Sequence, residues 1–474
     1  MPPRDGGGRR PAPRPAVYVP RRGDAPADPE PADHDWAEPE PTAPDWVEPE
    51  WAGRPVGDPA GGHRRGLAIA ALALAVLAAG GTTALATRRP HDTASWTPGR
   101  SRPIAHARQL AQAAPSPLPS PSPSPTPAAV PPPATYTVPG AAPAVPWPAT
   151  GQATLRVVGV GRLGATPGQH PVPIASVTKV MTAYVVLRDH PLSAGGDGPT
   201  LTVTAAEAAA YPDEVAKNES LVRVAAGEVL TERQALDALL LPSADNIALI
   251  LARWDAGDVP RFLAKMNATA AGLGMTSTHY TDPSGYEAST RSTADDQTLL
   301  AARAMRIPAF ARIVAQRSAA VPLAGTVRNY NTLLGSDGVD GIKTGSTSAA
   351  GGCLLFAAHA RVAGQDLTIV GAVLGQPGTT MYGLPQALAA SRALIQAAQR
   401  TVGPHPLIPA GQAIATVGGV RLAAAATVTV IGWPGLTWRT RLHAAAHPVP
   451  GAGAGTLELD GAESHQSVAL TALP

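Results

Sequence analysis

The chain has 474 residues, long enough for two or three domains, and its 52 prolines and 48 glycines concentrate in segments that cannot pack a core. A net charge of +2 gives no reason to predict a nucleic-acid partner, and none is predicted. The single cysteine, Cys353, excludes an intrachain disulfide and is expected to be a small buried hydrophobic residue.

The first 65 residues are rich in Pro, Gly, Asp and Glu, and they contain a near-repeat, DWAEPE at 35–40 and DWVEPE at 45–50. Such a composition buries too little apolar surface to offset the entropy lost on ordering. We therefore predict that 1–65 form a disordered cytoplasmic tail. The repeats are either a docking motif for a cytoplasmic partner or part of a solvated low-complexity tail.

An apolar segment follows at 66–87, where 22 residues carry no charge. This length is enough for a helix to cross a hydrocarbon layer of about 30 Å. We predict a single N-terminal transmembrane helix that anchors the chain in the cell membrane. Arginine pairs flank both sides, so the positive-inside rule does not decide the orientation. We place the N-terminus in the cytoplasm because the chemistry argued below belongs outside the cell.

Residues 88–148 are rich in proline, with PSPLPSPSPSPTP at the centre. Proline at this density favours an extended, stiff polyproline II conformation, which holds a domain away from a surface. We predict an extracytoplasmic linker, and a ligand for an SH3-type domain is the alternative.

A globular domain is predicted over 149–400. ATLRVVGV is typical of a strand, and the spacing after Ser176 predicts a helix that ends before Pro191. Thr231 and Gln234 have the spacing of a capping box at the start of a second helix. Further helices are predicted for NIALILARW, RFLAKMNATAAGLG and PQALAASRALIQAAQ, and further strands for GIKTGST, CLLFAAHARV and DLTIVGAVLG. Strands at both ends with helices between them indicate one α/β (α+β) domain whose sheet joins distant segments.

The C-terminal segment, 401–474, alternates short strand patterns with Gly/Pro turns. The patterns are ATVTVIGW, LTWRTRL and TLELDG. We predict a small all-β domain here.

Ser176 and Lys179 are the first candidates for chemistry. Lysine is scarce in this chain, with four lysines against 33 arginines, and residues three apart share one face of a helix. Burial disfavours a charged amine, so an uncharged Lys179 can take the proton of the Ser176 hydroxyl and make its oxygen a nucleophile. Alone, S-x-x-K is a weak signal, and a helix start with a lysine that reaches toward solvent is the competing interpretation.

A second motif, Lys343-Thr344-Gly345, lies in a predicted strand. There a lysine can bind a carboxylate, and the strand edge can pair with an extended peptide. The N–H groups of Ser346 and Ser176 are predicted to form an oxyanion hole. A plain transition from strand to turn is the alternative.

A third motif, LLLPSADN, places Ser243 in a loop between two predicted helices. A hydroxyl there can relay a proton to a leaving amine, so Ser243 is a third catalytic candidate. A serine that only caps the loop is the alternative.

The three motifs together resemble the S-x-x-K, serine-loop and K-T-G set of penicillin-binding proteins and class A β-lactamases. Five longer segments resemble the D-alanyl-D-alanine carboxypeptidases, serine peptidases of family S11, over about 150–400. They are PIASVTKVMTAYVVL, LLLPSADNIALILA, MNATAAGLGMTSTHYTDPSGY, NYNTLL and VDGIKTGST. The resemblance implies a β-lactamase/transpeptidase-like domain, with a mainly antiparallel sheet flanked by helices. It also implies removal of the terminal D-alanine from peptidoglycan stem peptides ending in D-Ala-D-Ala, through an acyl-enzyme on Ser176, with β-lactams as covalent inhibitors.

The middle motif departs from the family pattern, which is S-x-N. This chain has S-A-D-N at 243–246, with aspartate third and asparagine fourth. An ionised aspartate only accepts hydrogen bonds, whereas an asparagine also donates them. Either Asn246 reaches the substrate or Asp245 substitutes, and both are candidate substrate-binding residues. Gln376 stands where many relatives carry a basic residue, so carboxylate recognition is expected to depend on the K-T-G motif.

The leading prediction is a membrane-tethered D-Ala-D-Ala carboxypeptidase. A catalytically weakened member that binds stem peptides or β-lactams as a scaffold or sensor is favoured by Asp245 and opposed by the intact Ser/Lys pair. A class A β-lactamase would need an E-x-x-L-N loop, which is absent from 190–335. The histidines show no metal-ligand spacing, and we predict neither a metal nor a cofactor.

Overall fold

A computed structural model describes residues 129–193, 195–378 and 380–474, which belong to one compact unit. The predicted tail, the predicted transmembrane helix at 66–87 and the linker up to 128 lie outside these residues. None of the helices in the described part of the chain combines the length and the hydropathy that a bilayer crossing requires.

The helices and strands of the described residues are numbered in chain order. The helices are α1 (Lys179–Asp189), α2 (Ala205–Ala216), α3 (Glu232–Leu240), α4 (Asp245–Ala256), α5 (Val259–Gly272), α6 (Ala294–Ala304), α7 (Pro308–Val314) and α8 (Thr380–Thr401). The first nine strands are β1 (Thr135–Thr137), β2 (Gln152–Val157), β3 (Gly161–Ala165), β4 (Val172–Pro173), β5 (Thr200–Thr202), β6 (Val229–Thr231), β7 (Arg291–Ser292), β8 (Ser318–Val321) and β9 (Gly325–Arg328). The remaining strands are β10 (Val339–Thr347), β11 (Gly351–Val362), β12 (Gln365–Gln376), β13 (Gly403–Ile408), β14 (Ala413–Val417), β15 (Val420–Ala424), β16 (Val428–Gly432), β17 (Thr437–Ala444), β18 (Gly453–Asp460) and β19 (His465–Ala472).

A five-stranded antiparallel sheet organises the first domain, in the order β10-β11-β12-β2-β3. Its strands come from both ends of the domain, as the sequence predicts, and helices α1 to α7 lie between them in the chain. Strand β10 is an edge strand, so one side of its backbone faces no other strand of this sheet. The mixed helical and antiparallel architecture is therefore confirmed.

Both faces of this sheet are covered, which explains the continuous apolar run CLLFAA in β11. Alternate side chains of a strand point to opposite faces. Cys353 and Leu355 join the cluster that contains α1, α3 and α4, whereas Leu354 and Phe356 join the cluster that contains α8. The sheet is thus the middle layer between two groups of helices.

Helix α1 lies at the centre of the larger cluster and is buried along most of its length. The predicted capping box at the start of α3 is present, because Thr231 Oγ1 accepts from the N–H of Gln234 while the Gln234 side chain accepts from the N–H of Thr231. The end of α5 at Gly272 and the helix predicted after Ser176 also agree with the sequence. The central helices are therefore predictable from local patterns.

The C-terminal strands form a six-stranded sheet, in the order β1-β17-β18-β19-β15-β14. Its first strand, β1, comes from the segment predicted to be linker. Residue Val130 also exchanges two backbone hydrogen bonds with Thr416 of β14, so 130–137 connect both edges of the sheet. The folded region thus begins before residue 149. A strand of three residues that follows a proline run is too short to show an alternating pattern, and its pairing is decided by partners about 300 residues away.

Glu232, the first residue of α3, is a fully buried carboxylate. Within the part of the chain that the structure describes, neither of its carboxylate oxygens has a hydrogen-bond partner. Burial raises the pKa of Glu232 from its usual value of 4.5 to about 7, against the opposing charge of Arg233. The folded state therefore binds this proton more tightly than the unfolded state does.

We predict that Glu232→Gln changes the pH dependence of stability. In the wild type, the free energy of unfolding should fall as the pH rises from about 4.5 to about 7, because the folded state resists ionisation of Glu232. The variant should lose this decline and exceed the wild type at pH 8 by up to about 3 kcal/mol, while the advantage disappears at pH 4. Chemical denaturation at both pH values measures the difference. Asp366→Asn, at an exposed position, is the matched control, and an equal gain in both variants would contradict the prediction.

Candidate active site

Ser176 lies in a short 3₁₀ helix, Ala175–Thr178, directly before α1. The preceding Ala175 has a φ of 48°, a left-handed conformation that is strained for a residue with a Cβ. The Thr178 hydroxyl donates to the Ala175 carbonyl at 2.9 Å and closes the turn. Strain of this kind is common where the surrounding structure holds a functional group in place. Here it turns Ser176, which is partly exposed, toward a cleft.

Lys179 connects the residues at the floor of this cleft. Its side chain is fully buried, and its Nζ is 2.8 Å from Ser176 Oγ. The same nitrogen donates to Asp245 Oδ1 at 2.5 Å and to the Ser284 carbonyl at 2.9 Å. The structure thus brings Ser176 and Lys179 together, as the three-residue spacing predicts, and gives the amine three oxygen partners.

Asp245 forms a buried ion pair with Lys179. The sequence analysis attributes the state of the amine to burial, and the structure adds a carboxylate in direct contact with it. Asp245 is itself held in place, since Ser220 N–H donates to its second carboxylate oxygen at 2.9 Å and the first turn of α4 favours a negative charge.

Asn246 lies outside the cleft, against the prediction that it contacts a substrate. Its amide group donates to the Val222 carbonyl at 2.8 Å, and its oxygen accepts from Val222 N–H. Asp245 and Asn246 are successive residues of α4 and therefore point in different directions. Of the two alternatives left open by the sequence, the structure has Asp245 facing the cleft.

Ser243 is buried, and its Oγ has no hydrogen-bond partner among the described residues. Its φ of 70° is left-handed, so the loop before α4 is strained at this residue. It makes no hydrogen bond with Lys179 or Asp245 in the described structure. A relay of protons through Ser243 stays a prediction.

Lys343 is the lysine whose ionisation the site disfavours most clearly. It lies on β10, its side chain is buried, and its Nζ donates to the Thr344 carbonyl at 3.0 Å. Burial first, and then the positive charge of Lys179, hold the pKa of Lys343 well below its usual value, while Asp245 acts in the opposite direction. The surroundings of Lys343 therefore disfavour its charged form, and an anion bound beside it would oppose this effect.

Gly345 explains how β10 approaches the 3₁₀ helix. A Cβ at this position would lie 3.1 Å from both Ser176 N and Val177 N. This is tighter than ordinary contact, so a residue with a Cβ here would push the strand and the 3₁₀ helix apart by a few tenths of an ångström. The next residue, Ser346, lines the cleft, and its Oγ is buried without a hydrogen bond. The predicted oxyanion donors, the N–H groups of Ser176 and Ser346, thus lie on two backbone segments in close contact.

The cleft has a volume of about 470 Å³. It is lined by Ser176, Lys217, Asn218, Ser220, Asp245, Tyr286, Ala288, Ser346, Thr347, Ser348, Ala349 and Thr380. Lys217 is exposed and also lines this cleft. Gln376 does not, because its side chain is buried and donates to the Thr150 carbonyl at 2.8 Å.

Ser284 and Tyr286 are functional candidates that the motifs did not identify. Ser284 contributes a backbone carbonyl to Lys179, and Tyr286 forms part of the cleft wall. Their segment, DPSGY, is part of the family resemblance. The contact with Lys179 is made by a backbone carbonyl, which every residue type has, so the amino-acid sequence does not reveal it. Among the described residues, no cluster of three or more His, Cys, Asp and Glu side chains is arranged to hold a metal ion.

Comparison with known sequences gives consistent matches. A sequence profile described as D-alanyl-D-alanine carboxypeptidase, peptidase family S11, matches residues 163–377. The D-alanyl-D-alanine carboxypeptidase of Streptomyces sp. (strain K15) is 35% identical over 217 residues, which are 42% of this chain and 71% of that protein. The D-alanyl-D-alanine carboxypeptidase DacB2 of Mycobacterium tuberculosis is 39% identical over 186 residues, covering 38% of this chain and 59% of the relative.

Among solved structures, the crystal structure of the Streptomyces K15 DD-transpeptidase aligns with a TM-score of 0.45 and 29% identity, over 55% of this chain and 98% of that chain. Penicillin binding protein 5 from Haemophilus influenzae aligns with a TM-score of 0.49 and 21% identity, over 69% of this chain and 98% of that chain.

Proposed function

Because this chain belongs to the D-alanyl-D-alanine carboxypeptidase family, we propose that it is a serine-type D-Ala-D-Ala carboxypeptidase of peptidoglycan stem peptides. The observation that carries the proposal is the contact of Ser176 Oγ with Lys179 Nζ at 2.8 Å, on the floor of a cleft bordered by the K-T-G strand. A serine and an amine in hydrogen-bond contact are the parts that an acyl-enzyme mechanism needs.

In the acylation step, Ser176 Oγ attacks the carbonyl carbon of the bond between the two D-alanines. The hydroxyl proton passes to Lys179 Nζ, while the N–H groups of Ser176 and Ser346 stabilise the negative charge on the carbonyl oxygen. The carbon–nitrogen bond then breaks, the leaving amine takes the proton, and D-alanine departs. Water attacks the ester carbon in a second step and releases the shortened peptide. β-Lactams would react at the same oxygen and remain bound as esters.

The K-T-G strand is suited to hold the peptide. β10 is an edge strand, so an extended peptide can add to it through backbone hydrogen bonds. Ser346 and Thr347 of this strand line the cleft, and Lys343 and Thr344 precede them on the same strand. A substrate carboxylate bound beside Lys343 would stabilise its charged form and so oppose the effect of burial, which lowers its pKa.

The alternative of a catalytically weakened scaffold is not favoured, because the nucleophile and the amine are in hydrogen-bond contact. Asp245 is expected to affect the rate, since its carboxylate and the Ser176 hydroxyl contact the same Lys179 Nζ.

For the location of the protein, we propose a single-pass anchor in the cell membrane with the catalytic domain outside. The support is the uncharged segment at 66–87 and the proline-rich segment that follows it. Peptidoglycan stem peptides lie outside the membrane, so an enzyme that trims them must act there.

Substitution of the nucleophile tests the proposed function directly. The wild type should be labelled covalently by a fluorescent penicillin and should release D-alanine from a stem pentapeptide. Ser176→Ala should lose both activities, because no other hydroxyl is in contact with Lys179 among the described residues. Gel fluorescence and intact-protein mass spectrometry measure the labelling. Labelling that survives the substitution would refute the assignment of Ser176.

A second prediction concerns Asp245. Asp245→Asn keeps a side chain of nearly the same size and an oxygen that can accept from Lys179 Nζ, and it adds the amide donor of the S-x-N pattern. Release of D-alanine from a pentapeptide at neutral pH should be kept or should rise. Asp258→Asn, which changes the capping aspartate of α5, serves as the control. A complete loss of activity in Asp245→Asn alone would show that the carboxylate is itself required.

A third prediction concerns the anchor. A chain that lacks residues 1–90 should appear in the soluble fraction, whereas the full chain should sediment with membranes, because the apolar segment is removed. Ultracentrifugation of cell lysates, with penicillin labelling as the readout, measures the partition. Persistent membrane association of the shortened chain would contradict a single anchor at 66–87.

A further inference from the structure

A buried aspartate, Asp282, organises the segment that supplies the third oxygen partner of Lys179. The segment DPSGY, 282–286, lies between α5 and β7 and carries Ser284, whose carbonyl accepts from Lys179 Nζ. On the basis of the proposed function, we propose that Asp282 is a positioning residue. It sets the geometry of Ser176 and Lys179 by holding this segment in one conformation.

The Asp282 carboxylate is the hydrogen-bond centre of the segment. One oxygen accepts from Ser284 N–H at 3.2 Å, Ser284 Oγ at 2.7 Å, Gly285 N–H at 2.7 Å and Tyr286 N–H at 2.9 Å. The other oxygen accepts from Thr290 Oγ1 at 2.5 Å. Asp282 is buried, and three of its five donors are consecutive backbone N–H groups. A carboxylate with this many donors fixes the backbone more firmly than any single hydrogen bond does.

The 282–286 segment contacts α1 and the turn before it at three points. Lys179 Nζ donates to the Ser284 carbonyl at 2.9 Å, and Thr182 Oγ1 donates to the Pro283 carbonyl at 2.6 Å. Gly285 packs so closely on the turn before Ser176 that a Cβ would lie 1.8 Å from the Ala175 carbonyl oxygen. Both Lys179 Nζ and the strained turn at Ala175 therefore contact backbone atoms of a segment that is hydrogen-bonded to Asp282.

The contact of Ser284 with Lys179 matters because it directs the amine. With three oxygens around Nζ, the position of the Ser284 carbonyl helps to decide how the nitrogen faces Ser176 Oγ. Other charged groups act on the same amine, namely Asp245 on α4, Lys343 on β10 and Glu219 in the loop before β6. None of these three residues makes a hydrogen bond with the 282–286 backbone in the described structure, whereas Asp282 accepts from three consecutive N–H groups of it.

Asp282 does not line the cleft, which separates positioning from substrate binding. Tyr286, which does line it, keeps hydrogen bonds when Asp282 is changed, since its N–H is also 3.2 Å from Ser284 Oγ and its OH donates to the Lys217 carbonyl at 3.0 Å. A change at Asp282 should therefore act on the acylation rate constant far more than on the affinity for the ligand.

Asp296 offers a matched control. It is buried like Asp282, and its carboxylate accepts from Ser277 N–H at 2.8 Å and Thr278 Oγ1 at 2.7 Å. These partners make no hydrogen bond with Lys179 or Ser176. Asp296→Asn should cost stability for the same reasons as Asp282→Asn, without disturbing the catalytic pair.

The experiment measures acylation of the full chain by a fluorescent penicillin, resolved by stopped flow into a non-covalent dissociation constant and an acylation rate constant. Thermal unfolding gives the folded fraction of each variant. Asp282→Asn should lower the acylation rate constant by about 10²-fold, the loss expected when reacting groups are displaced by about 1 Å, with the dissociation constant nearly unchanged. Asp296→Asn should acylate like the wild type. Ser284→Ala, which keeps the carbonyl but loses one donor to Asp282, should show a smaller loss.

A wild-type acylation rate in folded Asp282→Asn, or an equal loss in Asp282→Asn and Asp296→Asn, would overturn the inference. If Asp282→Asn does not fold, Ser284→Ala decides, and an unchanged rate constant in that variant overturns the inference. Absence of acylation in both the wild type and Asp296→Asn would instead overturn the proposed function, and this inference with it.

Discussion

The Lys179 amine is the contact on which the rest of the site depends. It is fully buried, and it reaches three oxygens from three separate parts of the chain: the Ser176 hydroxyl, the Asp245 carboxylate and the Ser284 carbonyl. A buried ammonium without partners would be costly, so each of these oxygens also stabilises the fold. The nucleophile turn, the start of α4 and the 282–286 segment are thereby held in one arrangement.

The two buried lysines of the site, Lys179 and Lys343, have different electrostatic surroundings. Among the residues that the structure describes, Lys179 has a carboxylate partner, whereas Lys343 is hydrogen-bonded only to a backbone carbonyl. Burial, together with the charge of Lys179, lowers the pKa of Lys343. Because β10 approaches the 3₁₀ helix closely at Gly345, Lys343 and Lys179 lie on neighbouring elements beside one cleft. A substrate carboxylate would supply a negative charge near Lys343 on β10, whereas Asp245 on α4 already supplies one next to Lys179. Asp245 therefore contributes to the charge balance of the site through its contact with Lys179.

Residues 130–137, which precede the catalytic domain, pair with strands of the C-terminal β domain. Because Val130 and β1 connect the two edges of the C-terminal sheet, the chain that enters the catalytic domain is first bound to the β domain. Paired edges do not offer free backbone groups to other chains. This segment therefore protects the β domain as well as leading into the catalytic domain.

Local sequence patterns determined much of this protein. The S-x-x-K spacing predicted the contact of Ser176 with Lys179, the Thr231/Gln234 box marked the start of α3, and the apolar segment CLLFAAHARV predicted the strand β11. Each of these depends on residues a few positions apart, whose geometry a helix or strand fixes by itself. Tertiary structure alone decided that Asp245 faces Lys179 while Asn246 turns to Val222, that Asp282 acts through a backbone carbonyl, and that 130–137 join the β domain. Those contacts join residues far apart in the chain, and buried hydrogen-bond partners and backbone carbonyls become identifiable only when the packed elements bring them together.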